Sequence, residues 1–533
     1  MPVDPLIDKY LSTQGICLLD DATTGRRAVA TRSLERGSVI LSLPPLYLLP
    51  LRDGESDDHT DERAAEHPPS RCTNCLDPLG PRRARCSQCH AALYCSAECL
   101  AAHWRLCHHL ACSVGGSGGP VPDGRAAKLK PAFRATLRML VGVDRMLTCI
   151  SQAADDGSGS GSGRRVAAWM LVQVAAWRRL QTHRAEHPAY VVAQYEEIAG
   201  VAQLERSSEE ETLDMLCRFG CNNFAAYDWR SGVQAAGQVC SPLASLAFNH
   251  SCRPTALAYY EPRARNATEG CYVVRALTDV QEGDEVTLAY VDALHPRALR
   301  SERLEAVYFF TCRCTRCASG GDNDDDKAAA AAARVDALLD RVVPADRLPE
   351  HLPVDLADTP RGPEPWAAHV VDALLGLVLA DGRCAGEPEF ERLAAECIAD
   401  TQPHNVSFAA YRHWLECQDD CLERMSPASN SNVALWACVA AQYVLAFYAL
   451  AYRPFHPLVG RQCLRLAQTV WAAVGIATPE EGAALKGVVG LERARRLCRA
   501  AESIVRTAAC EREAALVVAH VRLLRDQIAV FEG

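Results

Sequence analysis

The sequence carries no surplus of positive charge: 56 basic side chains stand against 66 acidic ones, for a net charge of −10. That excludes a general polyanion binder and leaves nucleic acid only to a local basic patch. The opening residues, Met1 to Pro5, lack the basic-then-apolar layout of a secretory leader. Disulfides are therefore not expected, and metal thiolates become the leading account of any clustered cysteines. No glycine-rich run follows a strand and opens a helix, which excludes a Rossmann-type cofactor site. Long apolar runs are also scarce. The one that stands out, Val433 to Tyr452, is alanine-rich, interrupted by Gln442 and set among helical segments. It is predicted to be a buried helix of a helical array rather than a membrane span.

What the chain does have is cysteine, 26 of them in 533 residues. Their distribution is uneven. A dense cluster runs from Cys72 to Cys112, and a short group lies at Cys312, Cys314 and Cys317. The rest are scattered, such as Cys384, Cys397, Cys438 and Cys463, and read as small buried apolar residues. A composition that is 49% hydrophobic and 23% charged is that of a globular chain, and the length suits roughly three or four domains.

Breaks in composition divide the chain. The acidic stretch 53–70 precedes the cysteine cluster, and Gly115 to Pro120 follows it. A Gly/Ser run lies at 155–163, and an aspartate-rich run leads into polyalanine at 320–327. Asp322 and Asp324 to Asp326 read as a solvated linker rather than a metal site. Residues 25–50 are predicted as short strands, 125–215 as mainly helix, and 256–260, 271–277 and 285–290 as strands separated by turns. From about 334 onward the pattern is helical, for example 366–380 and 491–504, which suggests a bundle or stacked helix pairs.

The first cluster has the spacing Cys72-x2-Cys75, Cys86-x2-Cys89, Cys95-x3-Cys99 and His108-x3-Cys112. Cys95 with Cys99, and His108 with Cys112, would share a helix face. Eight soft ligands make two closed tetrahedral Zn²⁺ sites, both structural. Interleaved pairing puts Cys72, Cys75, Cys95 and Cys99 on one ion and Cys86, Cys89, His108 and Cys112 on the other. His103, Cys107 and His109 are rivals for the last pair. Forty residues so poor in apolar side chains are not expected to fold without metal. The segment resembles a MYND zinc finger through Tyr94-Cys95-Ser96, Cys99 and Trp104 with the histidine and cysteine that follow. That resemblance implies proline-containing peptide partners, with DNA contact a weaker implication; the basic run Arg82, Arg83 and Arg85 suits either, and equally a solvated loop.

A second stretch holds Asn249-His250-Ser251-Cys252-Arg253-Pro254, then Gly283 to Tyr290, then Tyr308-Phe309-Phe310-Thr311-Cys312 with Cys314 and Cys317. In this order the motifs resemble a SET domain with its post-SET zinc motif. With the MYND-like finger near the front, the closest resemblance is to the SMYD family of protein-lysine methyltransferases. The implied fold is α+β. A β-rich SET domain is split by a MYND zinc finger and a helical insert, and an all-α TPR-like C-terminal domain follows. The expected segments are 1–50 and 216–311 for SET, 72–112 for the finger, 120–215 for the helical insert, 312–320 for the post-SET motif, and 334–533 for the helical domain.

The resemblance implies site residues and cofactors. Tyr290 matches the catalytic tyrosine, and Tyr308 matches one that lines the lysine channel and borders the donor. Phe310 matches the aromatic that stacks on the adenine. Gly25, Arg26, Asn222, Asn249 and His250 match positions around S-adenosylmethionine. Cys252 is expected to complete a third structural zinc with Cys312, Cys314 and Cys317, three cysteines that need a fourth ligand. The chemistry suits these residue types. Methyl transfer to lysine is a direct displacement that needs a neutral amine, an in-line approach and a narrow aromatic channel to desolvate the amine.

Two departures from the family pattern are present. Arg27 stands where the family has the second glycine of Gly-x-Gly, and it would crowd the loop if a positive φ were required there. Thr255 stands where an asparagine is usual. The expected function is S-adenosylmethionine-dependent methylation of lysines in histone or other proteins. The alternative is a catalytically weak scaffold that recruits partners through the finger and helical tail in transcriptional regulation. A monomer away from membranes is expected, in nucleus and cytoplasm. Asn266 heads a glycosylation sequon without consequence in such a chain, and His183, His187 and His456 read as ordinary surface or core histidines.

Overall fold

The structure is a computed structural model. It describes residues 4–532 apart from 22–24, 52–54, 57–58, 61–69, 91, 110–111, 113–128, 130, 156–165, 203, 205–206, 228–234, 263–269, 318–334, 340–359, 361–362, 381–385, 400–405, 426–430 and 477–488. The glycine-rich, Gly/Ser and aspartate-rich linkers read from the sequence, and the sequon at Asn266, lie wholly or almost wholly outside the described residues.

Helix α1 (Pro5–Thr13) starts on Asp4, whose side chain accepts from the Leu6 amide, and buries Ile7 and Leu11. It leads into the antiparallel hairpin β1 (Ile16–Asp21) and β2 (Gly25–Ala30). Strands β3 (Val39–Leu43) and β4 (Tyr47–Pro50) complete the first strand-rich part. The finger contributes the two-residue pair β5 (Ala84–Arg85) and β6 (Leu93–Tyr94), then helix α2 (Ala97–His103), which runs directly into a wider turn over Trp104–His108.

The helical insert holds α3 (Pro131–Asp155), α4 (Ala168–Trp177), α5 (Ala189–Ala202) and α6 (Glu209–Cys221). The last of these opens on a reciprocal cap between Ser208 and Glu211. Strands resume with β7 (Phe224–Tyr227) and β8 (Ala235–Cys240), then helix α7 (Pro242–Ala247). Next come β9 (Asn249–His250), β10 (Ala256–Glu261), β11 (Cys271–Ala276), β12 (Thr287–Leu288) and helix α8 (Arg297–Tyr308).

These strands form small sheets instead of one large one. β8 lies between β4 and β7, β11 lies between β10 and β3, and β9 pairs in parallel with β12. The two three-stranded sheets thus mix strands from before and after the finger and helical insert. Both insertions leave and return to one core, in which Ile40, Leu41, Val274, Phe248 and Val286 are packed together. The expected strand over 285–290 is shorter, only Thr287–Leu288. The Tyr290 amide donates to the His250 side chain instead of to a strand neighbour, at 2.9 Å.

The C-terminal part is helical: α9 (Pro365–Val378), α10 (Glu387–Ala399), α11 (Phe408–Arg424), α12 (Ser431–Ala451), α13 (Pro457–Ile476), α14 (Leu491–Ala508) and α15 (Glu511–Glu532). Helix α12 is long and apolar enough to cross a membrane by length and composition, yet 94% of its apolar window is buried inside the protein. Its interrupting Gln442 is satisfied there, donating to the Ala367 carbonyl at 3.1 Å and accepting from Arg493 at 3.1 Å. A polar amide so placed costs little in a protein core.

Candidate active site and zinc clusters

In the finger, the first Cys-x2-Cys pair sets Cys72 and Cys75 at a turn in which the Leu76 amide donates to the Cys72 carbonyl. The second does the same with His90 and Cys86. Leu76 and His90 both hold positive φ, 61° and 54°. This repeat aims two sulfurs from each turn at a common point. The ligand atoms of Cys72, Cys75, Cys95 and Cys99 all lie within 4.8 Å of one another, as do those of Cys86, Cys89, His108 and Cys112. Measured pairs include Cys75–Cys95 at 3.6 Å, Cys86–Cys112 at 3.7 Å and Cys89–His108 Nε2 at 3.5 Å. Tetrahedral zinc with a bond of about 2.3 Å separates its sulfurs by roughly 3.8 Å, so both sets fit zinc and the interleaved pairing holds.

One local expectation changes. Cys95 precedes α2, whose cap Ser96 accepts from the Cys99 amide, so Cys95 and Cys99 do not share one helix. The cap turn, rather than a helix face, brings them to 3.5 Å. Cys112 likewise lies beyond the helical turn that carries His108, linked by its amide to the His108 carbonyl. The rival ligands face elsewhere. His109 Nδ1 meets the Trp104 carbonyl at 2.7 Å, and His103 Nδ1 meets the Tyr94 hydroxyl at 2.9 Å while its ring stacks on His108. Cys107 packs against the helical insert.

The third set, Cys252, Cys312, Cys314 and Cys317, also lies within 4.8 Å. Cys252 is 3.5 Å from Cys317 and 4.0 Å from Cys312. This set fits zinc by the same test, and Cys252 is the expected fourth ligand. Around it is a buried triad the sequence reading missed. Asp336 receives Arg300 at 2.8 Å and Arg316 at 2.6 Å, and Arg300 comes to 4.0 Å from the Cys317 sulfur. Two guanidiniums beside four thiolates offset the negative charge that a tetrathiolate zinc retains.

Tyr290 and Tyr308 converge, with ring centroids 4.8 Å apart. The Tyr290 hydroxyl donates to the Phe248 carbonyl at 2.5 Å, and the Tyr308 hydroxyl donates to the Tyr290 carbonyl at 3.4 Å. Burial pushes the Tyr290 phenol above its ordinary range and that of Tyr308 up to about 12. The His250 ring lies 5.4 Å from Tyr290 and 6.0 Å from Phe310. Its Nδ1 accepts the Tyr290 amide, and burial lowers its pKa to about 4, so the ring is neutral. Asn249 donates to the Arg26 carbonyl at 2.7 Å and to Glu285 at 3.0 Å. That ties the β1–β2 hairpin to the motif.

Gly25 holds φ +73°, with nothing within 4 Å of where a Cβ would stand. Arg27 is not at positive φ; it lies in β2 opposite Leu19, in extended backbone. The crowding expected of Arg27 therefore does not arise. Thr255 sits in a hydrogen-bonded pair with Thr287, its amide donating to the Thr287 hydroxyl at 3.2 Å.

A cavity of about 1230 Å³ is lined by Asn222, Tyr290 and Tyr308 on one side and by Tyr452, His456 and Cys510 of the helical part on the other. Arg26 lines a separate cavity of about 820 Å³ with Arg178 and Arg179. Asn222 is held by donation to the Arg218 carbonyl at 3.0 Å. The motif reading gives Phe309 no role of its own. It ends α8 in the left-handed conformation, φ 62°, stacked on His183 at 5.2 Å and met edge-on by His187 at 4.7 Å. Those two histidines, read as ordinary, hold the residue between Tyr308 and Phe310. The signal that would have found them is the run of three aromatics at 308–310.

Two insertions within a mixed strand core, one of them a double metal finger, with paired tyrosines beneath an asparagine–histidine motif, define a class that the comparisons identify. The SET domain family matches residues 25–291, and the chain belongs to that family. Its relatives include proteins named SMYD2 and SMYD1. It is 24% identical over 319 residues to "Histone-lysine N-methyltransferase ASHR1" of Arabidopsis thaliana, covering 59% of this chain and 57% of that protein. It is 26% identical over 305 residues to "N-lysine methyltransferase SMYD2" of Rattus norvegicus, covering 56% of this chain and 59% of that protein. The chain thus spans about 60% of the length of the curated relatives it matches. A solved SET domain of LSMT bound to lysine and AdoHcy aligns over 90% of this chain and 96% of that one, at 12% identity and a TM-score of 0.28.

Proposed function

We propose that the protein is an S-adenosylmethionine-dependent protein-lysine N-methyltransferase. The observation that carries this reading is the convergence of Tyr290 and Tyr308 at the wall of an open cavity, backed by the neutral His250 and by Asn249 tied to Arg26. Relatives named as lysine methyltransferases support it. Gly25, Asn222, Asn249, His250, Tyr308 and Phe310 would hold the donor, with Arg26, whose side chain opens on the separate cavity, contributing its carbonyl to Asn249. When bound, it supplies an electrophilic methyl group on a sulfonium.

Among the described residues around Tyr290, no side chain is placed to act as a strong base. Both phenols stay protonated at neutral pH, and His250 already accepts the Tyr290 amide. The work of the site is therefore to desolvate the lysine, to orient its lone pair with hydroxyls already fixed by carbonyls, and to exclude water. The amine gives its proton to solvent before transfer, favoured by a buried aromatic wall that penalises the ammonium, and its lone pair would then take the methyl group as the bond from sulfur to that methyl breaks. Tyr290 is the catalytic residue in this reading and Tyr308 lines the channel.

On the resemblance of the finger and the motifs, we further propose proline-containing peptide partners for the finger and a place in nucleus and cytoplasm. Zinc-loaded protein titrated with S-adenosylmethionine in a calorimeter, followed by labelled donor on a peptide array, tests the reading. Donor binding with label transfer that Tyr290→Phe suppresses is expected. Absence of donor binding would sink it.

A further inference from the structure

The turn after the cofactor motif is held by arginines. The Cys252 carbonyl lies 3.4 Å from Arg316 Nη1, which also donates to the Ala451 carbonyl at the end of α12, at 3.2 Å. Arg453, two residues beyond α12, donates from Nε to the Pro254 carbonyl at 3.1 Å and from Nη2 to the Arg253 carbonyl at 3.5 Å. Three consecutive carbonyls thus take guanidinium donors, two of them from the C-terminal part. Arg453 is fixed in turn by Glu387, the first residue of α10, at 2.9 Å. One turn along α10, Glu391 pairs with Arg253 itself. The four side chains are between 10% and 16% exposed, so the pairs are sheltered from water and salt.

The turn is stiff on its other side too. The Arg253 amide donates to the Ser251 hydroxyl at 3.1 Å, and the Ser251 amide donates to the Leu288 carbonyl at 2.8 Å. A displacement at Arg253 and Pro254 has little slack to absorb it before Asn249 and His250.

We infer that Glu387, Glu391 and Arg453 are positioning residues of the donor site. Through the Arg253–Pro254 turn, the C-terminal helices set where Asn249 and His250 stand. Removing Glu387 leaves the partly buried Arg453 only the more distant Glu391, at 4.0 Å, as counter-ion, which is costly for the local arrangement. Only the donor-affinity part of this inference rests on the methyltransferase reading; the positioning of the turn does not.

The test is hydrogen exchange, read by mass spectrometry at peptide level, on the full zinc-loaded chain and on Glu387→Gln. Faster exchange over 249–254 in the variant, with finger peptides over 72–112 unchanged, is the expected result. Unchanged exchange over 249–254 overturns the inference. Calorimetry with S-adenosylhomocysteine on the same samples adds the affinity readout. A Kd raised at least tenfold in Glu387→Gln is expected, with partial recovery when Glu387→Asp replaces it. A folded variant with wild-type affinity overturns it. If wild-type protein binds no donor, the methyltransferase reading fails, while the exchange result still decides the positioning. Should Glu387→Gln not fold, Arg453→Lys, which keeps the charge but loses the fork onto two carbonyls, is read in the same way.

Discussion

Replacing Tyr290 with phenylalanine removes one oxygen and leaves the ring packed against Tyr308. In the folded protein that oxygen donates to the Phe248 carbonyl at 2.5 Å. Losing the donor strands a carbonyl next to a buried residue, at about 1–2 kcal/mol. A melting point lower by a few degrees is expected, since 1 kcal/mol moves a domain of 150–250 residues by roughly 2–4 °C. The effect on rate is larger. Under the proposed function the hydroxyl is one of the two polar groups that the paired tyrosines would offer the lysine nitrogen, and a hydrogen bond to a charged or charging group is worth about 1.5–3 kcal/mol. At 1.36 kcal/mol per factor of ten, transfer should slow by roughly 10- to 150-fold. The assay is the initial rate of label transfer at saturating donor, with donor affinity measured in parallel. A rate within threefold of wild type would refute the reasoning. So would a rate loss matched by an equal loss of donor affinity, because Tyr290 would then be shaping the donor site rather than the channel.

Purified protein should carry three zinc ions per chain by atomic emission, and Cys314→Ser should carry two with the finger intact; three ions in the variant would contradict the third cluster. Tyr260→Phe removes a hydroxyl that donates to the Asn74 carbonyl at 2.6 Å. It should cost about 1–2 kcal/mol and raise hydrogen exchange over 71–76, whereas unchanged exchange would mean that this bond does not dock the finger. Burial lowers the half-buried His456 from 6.5 to about 4. Below pH 6.5 the unfolded chain takes a proton that the folded ring refuses, so this stabilisation is complete above 6.5 and is lost as pH falls toward 4. After allowance for partial exposure it amounts to about 2 kcal/mol. His456→Phe should flatten that acid limb in urea titrations, and an unaltered limb would reject the assignment. Arg27→Gly should change donor affinity by less than threefold, because Arg27 already has ordinary strand geometry.

The metal chemistry is written locally in the chain. Thiols at Cys-x2-Cys spacing close turns over one ion with only local backbone, so the ligand pairs of the finger were legible, and so was the fourth place waiting for Cys252. Helical periodicity exposed the C-terminal part and the buried nature of α12, since a helix that is apolar all round needs protein on every side. Tyr290, Tyr308 and Asn249 were legible as motif residues, but nothing in their spacing says that two rings 18 positions apart meet at 4.8 Å.

Tertiary structure alone decided the rest. It chose His108 over its neighbours by turning His103 and His109 toward other partners. It laid Arg27 in a strand, free of the positive φ that a glycine would favour. It brought Asp336 to Arg300 and Arg316, and Glu387 and Glu391 to Arg453 and Arg253, across separations that no local pattern records. Such pairs depend on where buried backbone carbonyls and uncompensated charges end up once helices pack. That is a property of the assembled core, whereas metal turns and helix faces are written within a few residues of sequence.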